Sequence, residues 1–467
     1  MDLKRCEDKI IGMLFGMIVC FSSEALAQGE WYTEGDYAPT TRIEVTIVNP
    51  LNIERQDTPV SIHRPDLPFS NFGPREVMVV DPDLPSRPEP TEEERLRHGG
   101  HLTQEETNGS AIPYQLDDLD RDGLWDELFF VLDLMPRETK TVYLYLGYNN
   151  RGKYVHKTFA AIGDYSRHPV PMWESEVLTW KLFYPTDVDI QAKREPILNG
   201  YYSLVNNMSG YHFAYERGTD IMTVGTSFGS GGIGLFESAQ RNFVSRPRFS
   251  PHRFSGPLED TRYVFEVVSS GPIRSIVRVK TLNWRTGRGE YELEQYYTAY
   301  KGKYYSTCQV SYGKWYPLNA KTNFAAGIRK IMFETDNYIQ DGVIISTARN
   351  MPVIDPNPET IDRERGTLDY AAVALAVKEK YHPEYQFISS FEGNHTFRIP
   401  VNGDRSYEYL IAAGWSDAPE YTTAEEFQQY VLDTVHEYNN PPRIAGLVME
   451  EKEEGFKPID YWTPPGP

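Results

Sequence analysis

Residues 210–234 read GYHFAYERGTDIMTVGTSFGSGGIG, and the fold turns on how they are taken. Gly229, Gly231 and Gly234 match G-x-G-x-x-G, which cradles a dinucleotide pyrophosphate when it joins a strand to a long helix. Here LFESAQRNF follows, and Pro247 and Pro251 interrupt the chain soon afterwards. No Gly-Lys-Ser/Thr sequence follows either, which excludes a nucleotide phosphate loop. The stretch argues against a doubly wound α/β fold, and no nucleotide cofactor is expected. Glycines after the strand-like residues 221–224 would let backbone pass close to a ligand or a neighbouring strand.

The surrounding sequence agrees. No long amphipathic helix precedes residue 420, and short Val/Ile/Tyr/Phe/Thr-rich runs recur between Gly, Pro, Asn and Asp. Residues 42–48, 127–132, 141–146, 264–268, 273–282 and 291–300 read as strands. The expected fold is all-β. A small N-terminal β-sandwich spans 36–150 and carries an exposed Pro- and Glu-rich loop at 81–103. A linker follows at 151–168, then a larger β-domain over 169–440. That domain ends in a helix at 423–437, capped by Thr422 or Thr423 with acids in its first turn.

Among 467 residues, 13% are aromatic, including 32 Tyr, which indicates a globular chain and not a disordered one. The net charge of −20 argues against nucleic acid or an anionic membrane as partner, so an anionic substrate would need local cations. Lys4, Arg5 and Lys9 precede the apolar run 10–21, and Ala25-Leu26-Ala27 gives a small-x-small cleavage pattern. Residues 1–27 read as a signal peptide, so the mature chain is expected to be exported, periplasmic or secreted, with no membrane insertion. Attachment of lipid at Cys20 is the weaker reading, since Ile18-Val19 lacks the usual small residue. Cys6 and Cys20 leave with the leader, and Cys308, in a strand-like run, is expected to be a buried small hydrophobe.

Residues 115–132 read QLDDLDRDGLWDELFFVL. Asp118, Asp120, Asp122 and Asp126 occupy positions 1, 3, 5 and 9 of a calcium-type loop, Gly123 supplies the turn and the Leu124 carbonyl falls at position 7. Phe129 stands where an EF-hand places Glu, and a strand follows instead of a helix. The loop is expected on a β-hairpin holding a structural Ca²⁺. An Asp-rich turn without metal is the alternative.

Three clusters bear chemistry: Tyr211, His212, Tyr215, Glu216, Arg217 and Asp220; Trp173 and Glu174; and Lys193 with Arg194. Trp and acids beside cations suit a saccharide, the ring taking the apolar sugar face. The plainer readings are packing for Trp173 and a solvated strand end for Lys193 and Arg194. His395, in FEGNHTFRI, is a second candidate histidine.

The segments WESEVLTWKLFY, DVDIQAKR, YHFAYERGTDIMTVGTSFGSGGIGLF, FAAGIRK and YLIAAGWS, with DLDRDGLWDEL, resemble the secreted domain-of-unknown-function family 4861 over residues 40–435. The resemblance implies a mutarotase-like β-supersandwich and a place among Bacteroidetes polysaccharide-utilisation enzymes, one branch of which is an ulvan oligosaccharide dehydratase. The family pattern carries an acid in the segment where Glu216 stands.

A dehydratase would eliminate water across C4–C5 of a terminal uronic acid. The carboxylate must be neutralised, a base must reach the C5 proton, and an acid must protonate the leaving oxygen. The expected roles are His212 as base, Tyr215 as acid and Arg217 as carboxylate partner, with Asp220 orienting Arg217 or His212. Trp173, Glu174, Lys193, Arg194, Tyr211 and His395 would bind a uronic-acid-containing oligosaccharide. The alternatives are a uronan lyase, a glycoside hydrolase using Glu174, Glu176, Glu216 and Asp220, or a non-catalytic glycan-binding protein.

Overall fold

A computed structural model describes residues 31–32, 39–85, 91–93, 110–148, 154–165, 168–184, 187–200, 217–222, 224–237, 244–247, 261–352, 367–390 and 392–452. Residues 1–27, expected from sequence to be a signal peptide, lie outside the described residues. The strands run β1 (Thr41–Val48), β2 (Arg55–His63), β3 (Val77–Val80), β4 (Ala111–Ile112), β5 (Tyr114–Asp117), β6 (Glu127–Leu134) and β7 (Thr139–Leu146). Next come β8 (Thr158–Tyr165), β9 (His168–Ser175), β10 (Leu178–Tyr184), β11 (Asp187–Lys193), β12 (Gly218–Asp220), β13 (Gly232–Phe236), β14 (Arg262–Ser270), β15 (Arg274–Arg285) and β16 (Gly289–Tyr300). The last are β17 (Tyr305–Pro317), β18 (Asn323–Arg329), β19 (Glu334–Gln340), β20 (Val343–Pro352), β21 (Thr367–Val377), β22 (Glu384–Ile388), β23 (Asn394–Ile399), β24 (Ser406–Trp415) and β25 (Arg443–Glu451). Helix α1 (Ala424–Asn439) precedes β25. The protein is all-β, as the sequence indicates.

The N-terminal unit packs a sheet ordered β25–β1–β7–β3–β4 on a sheet ordered β2–β6–β5. Alternate residues Ile43, Val45 and Ile47 of β1 meet Val60 and Ile62 of β2 and the run 128–132 of β6 in one core. The large unit is a sandwich of a nine-stranded sheet, β22–β23–β18–β13–β11–β10–β9–β8 with β12 beside β11, and an eight-stranded sheet, β14–β15–β16–β17–β24–β21–β20–β19. Its core includes Trp173, Trp180, Tyr291, Tyr297 and Trp415. Helix α1 lies on the other face of the eight-stranded sheet, packing Phe427, Val431 and Val435 on Tyr370, Ala372 and Leu410. Thr423 closes a capping box with Glu426, matching the expected start of the helix.

Three expectations change. Residues 158–165 are not linker but strand β8 at an edge of the nine-stranded sheet. The small strand near the glycines is Gly218–Asp220, and of the run expected as strand Ile221, Met222 and Val224 lie outside it, residue 223 not being described. The N-terminal unit does not close at residue 150, because β25 returns from beyond the helix to pair with all of β1. Cys308 is buried as expected, and burial pushes its thiol up to about 12.

The units meet through buried polar contacts. Arg274 of β15 donates to Asp117 and to Glu127 (2.9 Å), while Gln115 accepts from the Arg274 backbone N–H (2.9 Å). Burial alone would lower the Arg274 guanidinium, but Asp117 and Glu127 outweigh it and hold it above its ordinary value. The seam also forms an open cleft of about 330 Å³ walled by Arg55, Tyr300, Tyr305, Lys378, Glu408 and Tyr438.

Candidate functional site: a buried charged sheet face

LTWKLFY and DVDIQAK alternate polar with apolar residues, so each strand has one face of each kind. Trp180, Leu182, Val188, Ile190 and Ala192 enter the sandwich core. The register puts Glu174, Thr179, Gln191 and Asp220 in one row across β9, β10, β11 and β12, on the opposite face. Lys181 and Asp189 pair in the next row, and Lys193 lies opposite Gly218. All seven of these polar side chains are buried. Burial of polar groups is tolerable only where each is partnered.

Glu174 accepts from Lys193 Nζ, from Thr179 Oγ1 at 3.0 Å and from the Gly200 N–H at 3.0 Å. Lys193 Nζ also donates to the carbonyls of Ser175 and Ile197, both at 2.7 Å, so its three protons are spent. Burial lowers the Lys193 ammonium against the opposing pull of Glu174. Burial likewise lowers Lys181, whose Nζ lies 3.5 Å from Asp189 and within the field of Asp220. Asp220 Oδ1 accepts from the Met222 N–H at 2.8 Å.

Several expected roles change on this geometry. Trp173 is not a sugar platform: it is fully buried, donating Nε1–H to Ser306 at 2.8 Å and lying against Tyr297. Lys193 is neither a solvated strand end nor free for a substrate, being closed on Glu174, and Glu174 is closed on it in turn. Arg217 is exposed with its Nε 4.0 Å from Glu195, and His212, the other side chain expected to be oriented by Asp220, lies outside the described residues. Arg194 forks onto Asp417 at 3.0 and 2.9 Å over the Trp415 ring.

Tyr211, His212, Tyr215 and Glu216 lie outside the described residues. Their flanks do not. Gly200 donates to Glu174, and Gly218 pairs with Lys193 so closely that a Cβ there would stand 2.0 Å from the Ala192 carbonyl oxygen.

The glycine run is strand-to-strand packing. Ser230 N–H donates to the Val188 carbonyl at 2.7 Å, and Val188 N–H to that of Gly231 at 3.1 Å. Gly229 has φ +61° and no room for a Cβ, which would stand 2.2 Å from the Val188 oxygen. Arg246 binds Asp187 and the Thr226 carbonyl (2.9 Å) over the Phe228 ring. Lys181, Asp189, Gln191 and Arg246 were missed as site residues. The alternation in LTWKLFY and DVDIQAK was the available signal.

His395 stands apart. It pairs with Ile328 on the core side of the sheet, opposite to the charged face. The acidic loop does sit on a hairpin, β5–β6. Asp118, Asp120 and Asp126 bring one oxygen each within 4.8 Å of one another. Asp122, which accepts from the Leu124 N–H at 2.7 Å, is not among these three. Arg121, at φ +71°, donates from Nη1 to the Val268 carbonyl at 3.0 Å and docks the loop on the large unit.

Fold and face together define a two-unit, all-β sandwich protein with a charged, covered sheet face. Residues 47–444 match the family model described as "Domain of unknown function (DUF4861)", and the chain belongs to that family. Among curated proteins, none matches it in sequence. It is similar to a solved alpha-mannosidase from Enterococcus faecalis V583, with 10% identity and TM-score 0.44 over 90% of this chain and 47% of that one. A glycosyl hydrolase family 38 protein from Enterococcus faecalis gives 10% and 0.44 over 89% and 48%. The chain spans about half the length of these two proteins.

Proposed function

We propose that this chain is a carbohydrate-active lyase, an oligosaccharide dehydratase acting on the terminal uronic acid of ulvan-type oligosaccharides after export to the periplasm or beyond. His212 takes the C5 proton, Tyr215 protonates the C4 hydroxyl, and water leaves as the C4=C5 bond forms. Arg217, exposed at the end of the segment, neutralises the substrate carboxylate. What supports the reading is that Gly200 and Gly218, on either side of Tyr211, His212 and Tyr215 in the chain, both join a face built from Glu174, Lys181, Asp189, Lys193 and Asp220. Those paired charges give a fixed electrostatic floor, and the titrating groups come from the segment itself. The acidic loop, in this reading, holds a structural Ca²⁺ through Asp118, Asp120 and Asp126.

The test mixes the protein with saturated uronate-terminated oligosaccharides and follows mass and ultraviolet absorbance together. Loss of one water with rising absorbance and unchanged chain length is expected, and His212→Ala should slow it about 10²–10⁴-fold. Absorbance rising as chains shorten would mean a lyase acting on the chain, and shortening without absorbance a hydrolase. Binding without product would leave a glycan-binding protein. For the loop, Ca²⁺ at a hundredfold excess over its dissociation constant should stabilise the fold by about 2.7 kcal/mol. An unchanged melting temperature would reject the metal.

A further inference from the structure

At the edge of the sandwich where β22 and β23 meet β19, a polar chain runs from the interior to the surface. Ser346 donates to Glu334, whose carboxylate faces His395 Nε2 at 2.8 Å, and His395 Nδ1 faces the Tyr385 hydroxyl at 2.9 Å. Asn337 donates to the other Glu334 oxygen at 3.2 Å. Burial alone would raise the Glu334 carboxyl, but the hydrogen bonds from His395 and Ser346 outweigh it and keep it ionised. His395 thus bridges the Glu334 carboxylate on Nε2 and the Tyr385 hydroxyl on Nδ1, and ties the phenol at the surface to the buried acid.

Around this chain the surface is aromatic. Tyr385 and Phe387 are 40% and 39% exposed, and each packs on His395 with centroids 6.0 and 5.4 Å away. Phe333, the residue before Glu334, is 57% exposed at φ +60°. A bulky side chain in the left-handed region is strained, and here burial does not offset it. Gly393, at φ +81°, leaves space for the Phe387 ring, which a Cβ would meet at 3.3 Å. Lys330 stands exposed alongside, its Nζ 3.8 Å from Glu334.

A buried histidine satisfied on both sides would serve as a clasp between the two sheets without any of these rings at the surface. Three exposed aromatics, one of them a phenol, beside a cation match the needs of a pyranose: rings for its C–H face, the Tyr385 hydroxyl for a sugar hydroxyl, and Lys330 for an anionic substituent. We propose that Phe333, Tyr385, Phe387 and Lys330 form a saccharide-binding site for a pyranose chain, with preference for one bearing carboxylates. It lies on the opposite side of the sheet from the charged face, and does not depend on the chemistry assigned there.

The experiment is titration calorimetry of the whole protein with an oligogalacturonate hexamer and with cellohexaose as neutral probe. Phe387→Ala and Tyr385→Phe should weaken binding tenfold or more. Lys330→Ala should weaken only the anionic probe, and Arg217→Ala should leave this site unchanged. Phe333→Gly supplies the readout that a structural role would not give: melting temperature rises as the strain is relieved, while affinity falls. Absence of binding for both probes overturns the proposal, as does binding indifferent to loss of the rings. Concentration-dependent self-association abolished by Phe387→Ala also overturns it, by making the patch a contact between copies.

Discussion

The two faces of the nine-stranded sheet are both buried, yet by different physics. The core face holds Trp173, Trp180, Ile190 and Ala192, where stability comes from apolar area and close packing. The outer face holds Glu174, Lys181, Asp189, Lys193 and Asp220, equally withdrawn from water. There, stability depends on each charge having a partner, and loss of one partner costs more than the pair contributes. The core face tolerates changes of shape in proportion to volume. The charged face tolerates almost no change of charge.

That contrast can be broken most directly at Lys193. Lys193→Met leaves Glu174 buried and unpaired and should destabilise the protein by about 3–5 kcal/mol in chemical denaturation. Adding Glu174→Leu should recover most of that loss. A double variant as unstable as the single one would mean that geometry, and not charge pairing, governs this face. A smaller effect is expected at Gly229, where the two faces are joined to the glycine run. Gly229→Ala should cost about 1–3 kcal/mol, from its positive φ and the clash with the Val188 carbonyl. An unchanged melting temperature would show that the run can relax. The smallest effect is at the sandwich edge. The Glu334 carboxyl is depressed in the folded state, so its contribution is present above the ordinary glutamate value of 4.5 and lost as pH falls through the folded value. Glu334→Gln should therefore flatten the acid limb of the stability profile in denaturation followed below pH 4.5.

Much of the fold was legible because strand alternation is local. β1, β6, β7 and β14–β16 hold the runs read as strands, and the helix start was visible at Thr422 or Thr423, of which the structure selects Thr423. β25 was not, since RIAGLVMEE follows a helix and two prolines, and nothing local names β1 as its partner. β8 was taken for linker because its small residues, Ala160, Ala161 and Gly163, give a weak apolar signal. For the site, sequence marked Glu174, Lys193 and Asp220 in three separate clusters, and it is the register that brings them onto one face. It could not tell that this face is covered, because alternation reveals which residues share a side but not what lies over it. Trp173 illustrates the same limit: one residue of register separates it from Glu174 and decides ring packing against charge pairing.

The pairing of β25 with β1 has a consequence for synthesis. Arg42 meets Glu450 across 408 residues of chain. Until the final strand emerges, TRIEVTIV of β1 has β7 on one side and an open row of backbone donors and acceptors on the other. Such an edge, rich in β-branched residues, is a template for any passing strand. β25, made long after β1, thus acts as an internal chaperone for it. A chain cut after α1 would keep its large sandwich intact and still be prone to aggregate from the opposite end.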